Sequence, residues 1–195
     1  MTRLDTRLVV GLALLSWAAM TSTLALAESA ARMLPEESQI AFVSKQMGVP
    51  VEGQFKRFAA ELVLDPRKPE GGSVALRIDT ASATFGIRQT DAELPRSNWF
   101  DVAHFPQASF VSSAIKGSGY GRFEVAGRLT VKGQSQPVTI PVQITQADGK
   151  STASGTFAVK RLEFRIGDGE WTDTSIVADE VQVRFKLVFT GLGAL

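Results

Sequence analysis

The chain has 195 residues, 44% hydrophobic and 21% charged, enough for one domain with a substantial core and unlike a disordered or collagen-like composition. Lys plus Arg number 21 against 20 Asp plus Glu, so no basic excess exists to hold a phosphate backbone, and nucleic acid is not an expected partner. The absence of cysteine removes disulfides, thiolate metal sites and a cysteine nucleophile, and the single histidine, His104, removes imidazole-rich metal centres and most Ser/His/Asp chemistry.

In chain order, the first segment reads as a secretory signal. Arg3 and Arg7 form a basic leader, Leu8 to Ala19 is an apolar run too short to span a bilayer, and Ala25-Leu26-Ala27 offers small residues to a signal peptidase. Cleavage is expected before Glu28, giving a signal peptide over 1–27, an N-terminal segment over 28–37 and a domain over 38–195. Loss of Arg3, Arg7 and Asp5 would leave the mature chain formally neutral. The expected location is the periplasm.

From Ser38 onward the apolar period is two, the mark of strands with one buried face. Strands are predicted over 38–47, 51–64, 73–80, 107–116, 120–131, 136–146, 151–160 and 178–190. In the last of these Val181, Val183, Phe185, Leu187 and Phe189 alternate with polar neighbours and are assigned to the interior. In the second, the parity shifts between Phe55 and Phe58, which one inserted residue at a bulge would produce. A short helix is predicted within 90–101, with Thr90 or Asp91 as N-cap and Pro95 limiting it, and a long loop over 161–177.

Eight antiparallel strands with short turns can make a sandwich or a closed barrel, and the barrel removes exposed edges. A barrel of this size either fills its interior or holds one small ligand. Twelve Phe, three Trp and one Tyr supply large apolar walls and favour a cavity. The fold class expected is therefore all-β, an antiparallel eight-stranded barrel with a short helix and an internal apolar cavity.

The run Phe42-Val43-Ser44-Lys45-Gln46-Met47-Gly48 with Gly53 and Phe55 is followed by Ser82-Ala83-Thr84, Asp91-x-x-Leu94 and Ser97. Trp99-Phe100-Asp101, Phe105-Pro106-x-Ala108-x-Phe110, the Gly127 to Gly133 segment and the Arg161 to Gly167 segment come next. In this order and spacing, from about residue 38 to 190, the chain resembles the YceI-like family. The resemblance implies an exported lipocalin-like extended barrel that binds a polyisoprenoid in an interior tunnel, and a binding protein rather than an enzyme. Members often carry His where this chain has Gln46 and Gly where it has Arg165, so a head-group role for that His does not transfer.

The expected tunnel wall comprises Phe42, Leu76, Phe123, Leu129, Phe157 and Phe185, each of which could instead be ordinary core. Near one barrel end Phe164 and Arg161 are candidate ligand contacts. A guanidinium suits a diphosphate or carboxylate head, and the alternative is a surface pair of Arg161 with Glu163 or Asp168. Trp99 and Phe100 are read as capping the mouth. Gly117-x-Gly119-x-Gly121 precedes a strand rather than a helix and is read as hairpin chemistry, not a phosphate loop. No metal site is expected at His104 or at the acidic loop residues Asp168, Glu170 and Asp173. No cofactor is expected beyond a bound lipid, an isoprenoid such as a quinone or polyprenyl phosphate. Two other readings stay open: an interaction module making transient contact with a membrane redox protein, and an enzyme using Glu163 or Asp91 as general acid or base.

Overall fold

The computed structural model describes residues 31–195, so the predicted signal peptide and its cleavage site lie outside the described residues. In chain order the elements are β1 (Arg32–Met33), β2 (Gln39–Gln46), β3 (Val49–Phe55), β4 (Phe58–Val63), β5 (Ser73–Asp79), β6 (Ala83–Thr84) and helix α1 (Arg88–Glu93). The long strands β7 (Gln107–Gly119), β8 (Arg122–Val131), β9 (Gln134–Ala147), β10 (Lys150–Lys160) and β11 (Val177–Thr190) follow. All strands belong to one antiparallel sheet, ordered β4-β5-β7-β8-β9-β10-β11-β2-β3-β6, with β1 on β11.

The sheet curls into a barrel whose ends meet because β3 and β4 are two halves of one bent strand. β3 pairs with β2 through seven residues, and β4 turns away after Lys56 and Arg57 to pair with β5. The parity shift read as a bulge is thus a corner at which the strand changes partner. Ser82 fastens it: its hydroxyl accepts from the Arg57 amide at 3.0 Å and donates to the Asp79 carbonyl at 2.6 Å, while its carbonyl accepts from the Lys56 amide. The break between β5 and β6 falls at the same level, so both strands bend together.

The N-terminal segment, set apart from the domain in the sequence reading, takes part in closing the barrel. β1 pairs with the end of β11 beyond the reach of β2, and the Ala31 amide donates to Leu62 of β4 at 2.9 Å. A two-residue strand has no period to read, and only the neighbouring edges give it a place. Counting β1 with β2, β3 with β4 and β5 with β6, the barrel has the eight antiparallel staves expected from the sequence.

Strand directions put the turns after β7 and β9 at one end of the barrel. The loops over 80–106 and 161–176, with the turn at Lys132–Gly133, lie at the other. Two glycines shape the wall between them. Gly53 sits directly opposite Phe42 and Gly155 opposite Phe185, and a Cβ at either would lie 2.5 or 2.6 Å from the facing ring's Cζ. Each phenylalanine therefore folds flat over its glycine instead of reaching toward the barrel axis.

The predicted helix is shorter and begins earlier: α1 has six residues and its N-cap, Ile87, makes no side-chain cap. Asp91 is not the cap because its carboxylate is engaged by the preceding loop, accepting from Thr84 Oγ1 and from the Phe85 amide at 2.6 Å each. The Gly117 to Gly121 region is the β7–β8 hairpin, with Gly121 at φ 65°.

Candidate ligand-binding cavity

The inner face of the barrel is where core and cavity part company. Ile115, Phe123, Ile144, Leu187 and Phe189 are buried, most of them towards the hairpin end. Leu129, Val131, Phe157, Val181, Val183 and Phe185 also face inward but are only half-buried, although polar residues alternate with most of them on the outside. Their remaining surface borders a cavity of about 220 Å³. A filled interior would have buried them, as native packing leaves few voids larger than a water.

All eight residues singled out from the sequence border this one cavity. Phe42, Leu76, Phe123, Leu129, Phe157 and Phe185 come from five different strands, Phe123 and Leu129 both from β8, and Phe164 and Arg161 from the loop after β10. All five inward positions predicted on β11 border it too. Phe85, Phe55 and Ser44 join them. Ser44 follows from the Ile40, Phe42, Ser44 alternation. Phe85 lies in a loop with no period, and only its packing at 5.2 Å against Phe42 places it. Trp99 and Phe100, expected at the mouth, also line the cavity, with Phe100 stacked edge-on at 5.8 Å from Phe55.

Ser44 and Arg161, apart from the Trp99 indole, supply the polar side chains of the lining. Arg161 fits neither arrangement expected for it. Its Nε donates to the Ala178 carbonyl at 3.1 Å, Nη1 to Ile166 and Gly167 at 2.8 and 3.0 Å, and Nη2 to Trp171 and Val177 at 2.7 Å each. Those are all five of a guanidinium's donors. The side chain is buried, its pKa lowered by desolvation against the opposing pull of Asp179 and Asp168. The loop folds around the cation because three of these carbonyls lie in the loop and two at the start of β11, where its pairing with β2 is irregular between Val177 and Val181. No N–H remains for a diphosphate, and Glu163 is exposed rather than paired with it.

The two mouth loops are sewn together. The Gly167 and Asp168 amides both donate to the Asn98 carbonyl, at 2.7 and 2.9 Å, and Trp99 packs 5.7 Å from Trp171. Lys132, from the β8–β9 turn, donates to the Arg165 carbonyl at 2.7 Å. Its burial lowers its pKa, against the raising effect of Asp168 and Asp101. Arg165 holds φ at 58°, a left-handed geometry that glycine adopts without strain. Gln46 ends β2 at the rim and is not part of the lining.

The polar loop residues have local partners. Asp168 meets Arg165 Nε at 3.2 Å, and Asp173 accepts from the amide and hydroxyl of Ser175, which lower its pKa. His104 Nδ1 lies 2.8 Å from Asp101 Oδ1 on the surface. Among the described residues no three His, Cys, Asp or Glu side chains gather at metal-binding distance.

A closed antiparallel barrel with a loop-covered apolar cavity defines a lipocalin-like architecture. The sequence matches the YceI-like domain over residues 32–189, and the chain belongs to the YceI-like family. BcnA of Burkholderia cenocepacia is 45% identical, with a TM-score of 0.78 over 80% of this chain and 98% of its own. A polyisoprenoid binding domain from Saccharophagus degradans, implicated in plant cell wall breakdown, shares the fold at 16% identity and a TM-score of 0.62, covering 83% of this chain and 97% of that one. A UPF0312 protein of Pseudomonas putida is 31% identical over 126 residues, which span 63% of this chain and 65% of that relative.

Proposed function

We propose that this protein is a periplasmic carrier or sensor that holds a long apolar lipid of the isoprenoid class inside its barrel. The observation that carries the reading is the half-buried inner face. Apolar side chains from most strands keep surface toward one cavity whose polar lining is almost nil. Water gains little there, whereas each lipid methylene buried contributes about 0.8 kcal/mol, so about ten supply roughly 8 kcal/mol before association costs. The flat seating of Phe42 and Phe185 over glycines keeps the lumen open in advance of binding. The shared fold with a polyisoprenoid binding domain supports the same ligand class, and the basic leader, short apolar run and Ala25-Leu26-Ala27 support export.

Binding without chemistry is the role proposed. Asp91 is occupied by Thr84 and Phe85, and Glu163 is exposed outside the lining, so neither sits where an acid or base could meet a buried substrate. Protein purified from a periplasmic fraction, extracted into organic solvent and analysed by mass spectrometry, should release a lipid at about one equivalent. Protein free of lipid that also fails to take up a prenyl chain would overturn the proposal.

A further inference from the structure

Among the described residues six large hydrophobic side chains are exposed, and four of them, Met47, Val49, Ile87 and Ile176, stand at the mouth end of the barrel. Apolar side chains scattered singly over a surface need no explanation, but these four share one end. Met47 and Val49 flank Gly48 at the β2–β3 turn, and the Met47 amide donates to the Ile176 carbonyl at 2.8 Å. Ile87 is the N-cap of α1, just beyond the point where β6 pairs with β3. None of the four borders the cavity.

Met47 occupies a position that suits it badly. Three two-residue hairpin turns of this chain have φ above zero at both residues: Met47-Gly48 at 48° and 79°, Lys132-Gly133 at 46° and 72°, and Asp148-Gly149 at 51° and 73°. Such turns favour Asn or Asp before the glycine, since a short polar side chain tolerates the left-handed region. Met47 is the apolar one of the three, and it is 78% exposed. It therefore bears backbone strain and gains no burial within the folded chain. A partner outside the chain would supply that burial.

The chemistry of the partner follows from what adjoins the patch. Between the pairs Gln46–Val177 and Ser44–Val181, three residues of β11 stand against Lys45 alone, and the carbonyls of Val177 and Ala178 are taken by Arg161. The seam beside Met47 and Ile176 is thus irregular, and past it Ser44 and Val181 line the cavity. Lys45 and Arg88 stand exposed beside the patch and engage no carboxylate among the described residues. Asp173, in the turn before Ile176, is occupied by the Ser175 amide and hydroxyl. An apolar patch edged by free cations matches a bilayer surface, where acyl chains lie beneath phosphate groups.

We infer that the barrel seats its mouth end on a lipid bilayer through Met47, Val49, Ile87 and Ile176, so that the ligand passes between bilayer and cavity without crossing water. The inference rests on the lipid-binding reading above and adds the surface from which the ligand comes.

Vesicles of phosphatidylethanolamine and phosphatidylglycerol test it. Wild-type protein should float with them, and Met47→Asn should weaken that binding by about tenfold, as one buried apolar side chain is lost. The variant should melt no lower than wild type, because asparagine suits the turn. The chain has no cysteine, so Val49→Cys and Tyr120→Cys each accept a single environment-sensitive nitrobenzoxadiazole label. The label at residue 49 should shift to the blue on vesicles. The label at residue 120, exposed in the β7–β8 hairpin at the far end, should not. Squalene added from ethanol should load wild type and Met47→Asn equally, since Met47 lies outside the cavity lining.

Undiminished vesicle binding by Met47→Asn, or equal shifts of the two labels, overturns the inference, as does a lower melting point that shows Met47 to be packed. Wild-type protein that takes up squalene but ignores vesicles overturns the docking alone, and a dimer that Met47→Asn dissolves would then assign the patch to a second copy of the chain. Wild-type protein that takes up no squalene overturns the lipid-binding reading, and this inference with it.

Discussion

Replacing Arg161 tests whether the mouth of the barrel is organised around one buried cation. Five carbonyls, from Ile166, Gly167, Trp171, Val177 and Ala178, converge on its five donors. Arg161→Lys supplies three donors at most, so at least two carbonyls lose their partner. At about 1–2 kcal/mol for each of two carbonyls left unpaired, the substitution should lower stability by about 2–4 kcal/mol. Arg161→Met removes every donor. The loss is then limited by the loop opening to water rather than multiplied fivefold, and about 3–5 kcal/mol is expected. Urea unfolding gives the magnitude. Amide hydrogen exchange gives the location, with residues 161–177 losing protection before the barrel strands in both variants. Stability of Arg161→Met within about 0.5 kcal/mol of wild type would refute the reasoning, because a surface arginine behaves that way.

Leu129→Trp and Phe157→Trp should each expel lipid while lowering stability by less than about 1 kcal/mol, because both residues border open space; a loss of about 1–3 kcal/mol with no lipid displaced would mean a filled interior. Gly53→Ala places a methyl 2.5 Å from Phe42 Cζ and should turn that ring into the lumen, lowering stability by about 1–3 kcal/mol together with lipid capacity, read by thermal melting and bound lipid; a variant that keeps its full lipid load contradicts the flat seating. Arg165→Gly should be neutral or gain up to about 1 kcal/mol, as relief of the left-handed φ of 58° offsets the added chain entropy; a clear loss in urea unfolding would show that the exposed Arg165–Asp168 pair matters more than strain. Burial lowers the Lys132 pKa below its ordinary 10.5, so the unfolded state binds the proton more tightly and this residue makes stability rise with pH through the window below 10.5; Lys132→Met should flatten that rise, and an identical pH profile for the two proteins would refute it.

Much of this molecule was legible as alternation. The inward residues of β11, and the wall positions from Phe42 to Phe185, follow from period two alone, because side chains on successive residues must face opposite sides of a strand. Composition leaned towards a cavity over a filled core, and the family resemblance added the tunnel. Where the chain lacks a period, the sequence is silent. Arg161 reads as a surface or ligand-binding charge because its carbonyl partners lie up to 17 residues away and meet only when the loop closes over it. Asp91 reads as a helix cap, yet its carboxylate finds Thr84 and Phe85 first. Residues 31–33 carry no strand signal, and the barrel gives them one by leaving β11 and β4 with edges to fill. Local pattern determines which face of each strand is apolar, since that depends on bonds between neighbours. Whether the apolar faces enclose space or fill it depends on how strands distant in sequence are spaced, and on rings such as Phe42 lying flat over Gly53, a contact that exists only once the strands have paired.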